Sequence, residues 1–167
     1  MRIIVVSDTH QNETLLRQYV KQAMADGSVD VFIHCGDGVR DVQSVEKLLY
    51  TAYPTVRIYA VRGNCDLTAR QYPVSETVML RGVRTLITHG HYYQVKKGLS
   101  QLVKAAHSLH ASLVFFGHTH HPLVVQKHGI TLINPGPLSS RSHPDTAYLE
   151  VTIDNEQQIC EKFIKVD

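Results

Sequence analysis

Apolar residues in the first third of the chain alternate between short runs and helical repeats. Residues 2–7 are rich in Ile and Val, the pattern of a buried strand. Residues 12–26 place Leu15, Leu16, Tyr19, Val20, Ala23 and Met24 at helical spacing, with Asn12 as the expected N-cap and Gly27 closing the helix. Residues 31–35 predict a second strand. Residues 41–50 predict a helix capped by Asp41, with Val42, Val45, Leu48 and Leu49 on one face, and residues 56–61 a third strand. This β-α-β-α-β order argues a parallel sheet with right-handed crossovers. Ligands bind such sheets beyond the carboxyl ends of the strands.

The second half changes character. Residues 76–80 and 83–88 flank Arg81-Gly82 and predict a hairpin. Residues 95–110 predict a helix with Leu99, Leu102, Val103 and Ala106 inward, and Lys96, Lys97 and Lys104 on its exposed face. Residues 113–116 form a strand ending at Gly117-His118. Two more hairpins follow, at 123–126 with 130–133 and at 147–153 with 158–164. Helices thus concentrate early and hairpins late, which suits a mixed first sheet packed on a more antiparallel second one. Residues 136–145, rich in serine and with two prolines, predict a long loop. There is no repeat, low-complexity tract or linker, so residues 1–167 read as a single domain.

Polar motifs gather where these strands end. They are Asp8 and His10 in Ser-Asp-Thr-His, Asp37 in Cys-Gly-Asp-Gly, Asn64 in Arg-Gly-Asn-Cys-Asp, His89 in Thr-His-Gly-His, and His118 and His120 in Gly-His-Thr-His. Read as extended segments, Asp-x-His and His-x-His each send both side chains to one side. Gly36 before Asp37 would let the backbone approach a metal closely. A carboxylate can bridge two cations, which makes Asp37 the expected bridge, while Asn64 offers an uncharged carbonyl oxygen. The mixed nitrogen and oxygen set suits Mn, Fe, Zn, Co or Ni, is too nitrogen-rich for Ca or Mg, and lacks the thiolates of structural zinc. Singly, Gly-Asp and Asn-x-Asp are common turns. In this order and at these strand ends, turn chemistry alone does not account for them.

Bulk properties narrow the setting. The chain has 167 residues, a net charge of +2 and ordinary apolar and charged fractions, which gives no argument for a nucleic-acid or membrane surface. No apolar run is long enough to span a bilayer, and signal-peptide cleavage would remove Asp8 and His10. Cys35, Cys65 and Cys160 lack the spacing of a disulfide framework or zinc knuckle, so a reducing, cytoplasmic location is expected. The ligand types of these motifs are those that hold two divalent cations, which reads as a binuclear metal hydrolase whose partner is a small phosphoester substrate. A homo-oligomer stays open.

The motifs resemble those of the calcineurin-like metallophosphoesterases over residues 1 to about 140, and Gly-Asn-Cys-Asp resembles their small bacterial and archaeal phosphodiesterase branch. The resemblance implies a four-layer αββα sandwich, two packed mixed β-sheets flanked by helices. It implies two divalent cations, manganese first, one on Asp8, His10, Asp37 and His120 and the other on Asp37, Asn64, His89 and His118. Hydrolysis of a phosphate diester by activated water then needs no side-chain nucleophile. Larger members carry His after the Asn; here Cys65 stands there, a poor acid that is expected to pack rather than to transfer protons. The catalytic candidates are therefore His91 as substitute acid, Asp66 orienting a histidine or Arg62, and Cys65. His34 is expected in the core or behind the ligands, and Asn134-Pro135-Gly136 resembles the family's closing loop beside the site, where Arg141 or His143 could touch a phosphate. The alternatives are a phosphomonoesterase or nucleotide pyrophosphatase on the same site, or a non-catalytic scaffold resembling the retromer subunit.

Overall fold

Each central strand sends alternate side chains to two faces, and every one of those faces is buried. This computed structural model describes residues 1–139 and 147–165. The first sheet has the order β10-β9-β1-β2-β3, from β1 (Arg2–Val6), β2 (Val31–His34), β3 (Arg57–Ala60), β9 (Ala147–Ile153) and β10 (Ile159–Lys165). The second has the order β4-β5-β6-β8-β7, from β4 (Ser75–Leu80), β5 (Val83–Thr88), β6 (Leu113–Phe115), β7 (Leu123–Lys127) and β8 (Ile130–Asn134). Ile4, Val6 and Phe32 face α1 (Glu13–Ala25) and α2 (Gln43–Ala52), meeting Leu16, Tyr19, Val45 and Leu49. Their neighbours Ile3, Val5, Val31 and Ile33 turn the other way and pack on Ile87, Leu113, Phe115 and Ile133 of the second sheet. The outer face of that sheet, with Leu86, Val114 and Leu132, is covered by Leu102 and Ala106 of α3 (Ser100–Ser108). Three apolar layers therefore hold four structural ones, the expected αββα sandwich.

The second sheet is less antiparallel than expected. Pairings β5–β6 and β6–β8 are parallel, as are β1–β2 and β2–β3, so both sheets are equally mixed. The β7–β8 hairpin produces this: its second strand inserts beside β6 and its first is left at the edge. The predicted 95–110 helix begins only at Ser100. Gln94 and Gly98 have positive φ, which breaks a helical ladder. Val95 kept the apolar spacing because it is buried from a turn, packed with Phe116 and Leu102. Lys96 and Lys97 thus lie outside the helix. Asp41 is not the cap of α2 either; it is buried within a 3-10 turn, Val39–Val42, and accepts from Thr9 Oγ1 at 2.6 Å. Asn12 is the cap of α1, accepting from the Leu15 N–H. Arg141 and His143 lie outside the described residues.

Candidate metal centre

The carboxyl ends of β1, β2 and β3 meet those of β5 and β6 at one edge of the sandwich, and every predicted ligand follows one of those ends. Asp8, His10, Asp37, His118 and His120 all have positive φ. The side chains therefore do not converge through strand pleating, as read from the sequence. Consecutive left-handed residues turn the chain back on itself. Such conformations cost energy and persist where surrounding contacts hold them.

Those contacts are on hand. The Asp8 N–H donates to the Gly36 carbonyl at 2.8 Å and the His10 N–H to the Asp37 carbonyl at 3.0 Å. Asp66 reaches further: its carboxylate accepts the N–H groups of Asp37 (2.8 Å), Gly38 (2.9 Å), Val39 (3.1 Å) and Gly63 (2.8 Å). Its hydrogen bonds thus go to the backbone, in place of the expected histidine or Arg62. Two glycines permit the close approach of these loops. A Cβ on Gly36 would run into the Gly63 backbone and the His89 ring, so its small size serves the packing of these loops. A Cβ on Gly117 would strike the Ser7 hydroxyl.

The ligand atoms fall into two groups. In the first, His120 Nε2 lies 3.1 Å from Asp8 Oδ1 and 3.4 Å from His10 Nε2. In the second, His89 Nε2 lies 3.3 Å from Asp37 Oδ2 and 3.2 Å from His118 Nδ1. Asp37 also joins His10 and Cys65 in a set whose ligand atoms lie within 4.8 Å of one another. His118 and His120, two apart, thus serve different groups. Asn64 and Cys65 are exposed at the rim, with the Asn64 amide 3.4 Å from the Cys65 sulfur.

The groups have the chemistry of cation sites. Asp8 Oδ2 accepts from Ser7 Oγ at 2.6 Å and the His118 N–H at 3.2 Å, while the buried Oδ1 faces His120 Nε2. His89 Nδ1 sits 2.8 Å from the Cys35 carbonyl oxygen and donates its proton there, which leaves Nε2 facing Asp37 as the atom that takes up a second proton or a cation. Lone pairs crowded at these distances repel unless a proton or a cation lies among them.

Electrostatics follow the same division. Burial raises the Asp37 pKa, but His89 and the Cys65 N–H outweigh it and hold the carboxyl well below the usual range. Burial likewise opposes ionisation of Asp8, and His120, His89 and Ser7 reverse it. His120 is raised by its contact with Asp8. Burial brings His118 down to about 4, helped by the charges of His89 and Lys96. Lys96, expected on a helix face, thus bears on the site from a turn. His91 is half-buried, 5.3 Å from His89 between ring centroids, and its Nδ1 has no hydrogen-bond partner among the described residues. Burial and the charge of His89 lower its pKa. Partial shielding from water, then Asp37, push the Cys65 thiol up to about 11.

The sequence match reaches across nearly all of this architecture: a profile of the calcineurin-like phosphoesterase superfamily domain covers residues 1–156. The chain belongs to that superfamily. A probable metallophosphoesterase of Bacillus subtilis is 33% identical over 159 residues, covering 93% of this chain and 86% of that protein. An archaeal phosphodiesterase structure superposes with a TM-score of 0.74 at 22% identity, covering 98% of this chain and 100% of that one. Vps29 from Entamoeba histolytica complexed with zinc has a TM-score of 0.71 at 15% identity over 98% of both chains. The last two establish the fold.

Within this calcineurin-like site, the motif reading brought together Asp8, His10, Asp37, Cys65, His89, His118 and His120. It missed the residues behind them. Ser7 and Thr9, which flank Asp8, bond to Asp8 and to Asp41. Asn134, expected in the closing loop, ends β8 and is buried; its amide donates to the Gly117 carbonyl and Thr119 Oγ1, and its carbonyl accepts the Gly136 N–H. Their signal was burial of short polar side chains, which periodicity does not register. His34 is buried behind the ligands, bonded to Thr9 Oγ1 and the Gly36 N–H.

Proposed function

We propose that the chain is a phosphodiesterase that works with two divalent cations, one held by Asp8, His10, Asp37 and His120 and the other by Asp37, Asn64, His89 and His118. The observation that carries this reading is the pair of crowded lone-pair groups with Asp37 reaching both. When bound, the cations supply Lewis-acid charge that lowers the pKa of water and offsets charge on the phosphate. Manganese leads the candidates, with Zn, Fe, Co and Ni also suited to these ligands.

The chain's own residues orient and protonate. Ser7 and the His118 N–H fix one Asp8 oxygen and thereby aim the other. The Cys35 carbonyl fixes the His89 tautomer. His91 is the proposed proton donor to the departing alcohol, and its lowered pKa leaves less of it protonated near neutrality. Cys65 holds its proton too tightly and bonds too weakly to replace it. A relative from Methanocaldococcus jannaschii named as a phosphodiesterase, 28% identical over 151 residues, supports a diester over a monoester. Cysteines without disulfide partners suit a cytoplasmic setting.

The test is substitution of a ligand. Asp37→Ala should lose both bound metal and hydrolysis, and His10→Ala should abolish hydrolysis with the fold retained; full turnover in Asp37→Ala would end the reading. The rival is a non-catalytic interaction scaffold like the retromer subunit that the sequence also resembles. That rival becomes the better account if metal-loaded wild type hydrolyses nothing across a broad panel of phosphoesters.

A further inference from the structure

We propose that a polar cleft beside Cys65 receives the second alcohol arm of the diester, and that it selects a hydroxylated, uncharged arm over an anionic one. This rests on the phosphodiesterase reading above. The cleft has a volume of about 410 Å³ and is lined by Gln11, Glu13, Arg40, Cys65 and Thr68, with Asp41 and Asp66 also on its walls. That volume lies within the range of small-molecule sites, about 300–1,000 Å³. Cys65 makes it continuous with the ligand cluster, since its sulfur lies within 4.8 Å of ligand atoms of His10 and Asp37. A phosphate held at those ligands therefore presents an ester oxygen to the mouth of the cleft.

The walls are fixed in advance. Gln11 has a φ of 66° and precedes Asn12, which caps α1 and donates from its amide to the Ser139 carbonyl. Arg40 Nη2 donates to the Thr68 carbonyl at 3.2 Å, tying the loop after β2 to the loop after β3. Preorganised walls reduce the entropy lost on binding.

Their charge sets the preference. Three carboxylates, Glu13, Asp41 and Asp66, stand against one guanidinium, Arg40. Asp66 is occupied by four backbone N–H groups and Asp41 by the Thr9 hydroxyl, so both have little to offer a ligand. Gln11, Glu13 and Thr68 remain to exchange hydrogen bonds with hydroxyl groups. A second phosphate would meet three carboxylates against the single guanidinium of Arg40, which is discrimination by repulsion.

The experiment uses the metal-loaded full chain and three p-nitrophenyl phosphodiesters with the same leaving group. The second arm is methyl, glyceryl or glyceryl carrying a further phosphate. The glyceryl ester should exceed the methyl ester in kcat/KM by about two- to tenfold, the worth of one net hydrogen bond. The added phosphate should remove that gain. Thr68→Val combined with Gln11→Leu should bring the glyceryl-to-methyl ratio to about one, and Glu13→Gln should raise the anionic ester relative to the glyceryl ester. A wild-type ratio of about one, or a ratio that neither variant moves, overturns the subsite while methyl-ester hydrolysis leaves the phosphodiesterase reading standing. Failure of the wild type to cleave any of the three overturns both.

Discussion

Asp66 accepts four backbone N–H groups, and through them it sets the positions of Asp37 and Gly63. Asp66→Asn keeps the shape but replaces a charged acceptor by an amide that must turn its NH₂ toward at least one donor. The expected loss of stability is about 3–4 kcal/mol, read by denaturant unfolding, with metal affinity falling in parallel. An Asn variant as stable as wild type would show that the clamp is dispensable. Cys65 supports a prediction about chemistry. With its thiol raised to about 11 and the His91 pKa lowered, neither is an effective acid near neutrality. Aryl diesters should turn over more readily than alkyl ones, since proton donation is worth about 10²–10⁴-fold, and most for poor leaving groups. Cys65→His should narrow the gap and His91→Ala widen it, measured as kcat/KM across a leaving-group series. A wild-type rate indifferent to leaving-group basicity would contradict this view of both residues.

At the scale of elements, the site is a seam between two sheets, and Gly117 is its closest point. Gly117→Ala would press a methyl group on Ser7 Oγ and crowd Asp8 Oδ2. Overpacking of this kind costs about 1–3 kcal/mol, and here the displaced groups also position a ligand. The variant should unfold at lower denaturant concentration and bind metal more weakly; unchanged metal affinity would show that the seam relaxes elsewhere. Much of this scale was legible from periodicity, because the strands and α1 have simple inside-outside patterns. Sheet composition was not, since the insertion of β8 beside β6 is a non-local pairing with no local signature. The start of α3 was misplaced because Val95 is buried from a turn while keeping helical spacing. Convergence of the ligands was read from motif order, but its cause, a run of left-handed residues, was not legible from residue types that ordinarily avoid that region.

Across the whole molecule, polar groups buried behind the site tie stability to pH. Burial takes the His34 pKa from 6.5 to about 4, despite the opposing charge of Asp66. The unfolded chain binds this proton near pH 6.5, whereas the folded chain resists it until about 4. Stability present above 6.5 is therefore lost as pH falls through that window, by on the order of 3 kcal/mol. Unfolding free energies between pH 7 and 4 should show the decline, and His34→Gln should flatten it; an unchanged slope would place the acid sensitivity elsewhere.

The central claim is that two cations, meeting at Asp37, make this calcineurin-like chain a phosphodiesterase. The most direct measurement strips the metal with a chelator, then titrates manganese back while following hydrolysis of methyl p-nitrophenyl phosphate and the metal bound per chain. Activity should vanish on stripping and return with saturation near two ions per chain. Hydrolysis that survives stripping, or a protein that binds its metal and remains inert toward the diester, would contradict the account.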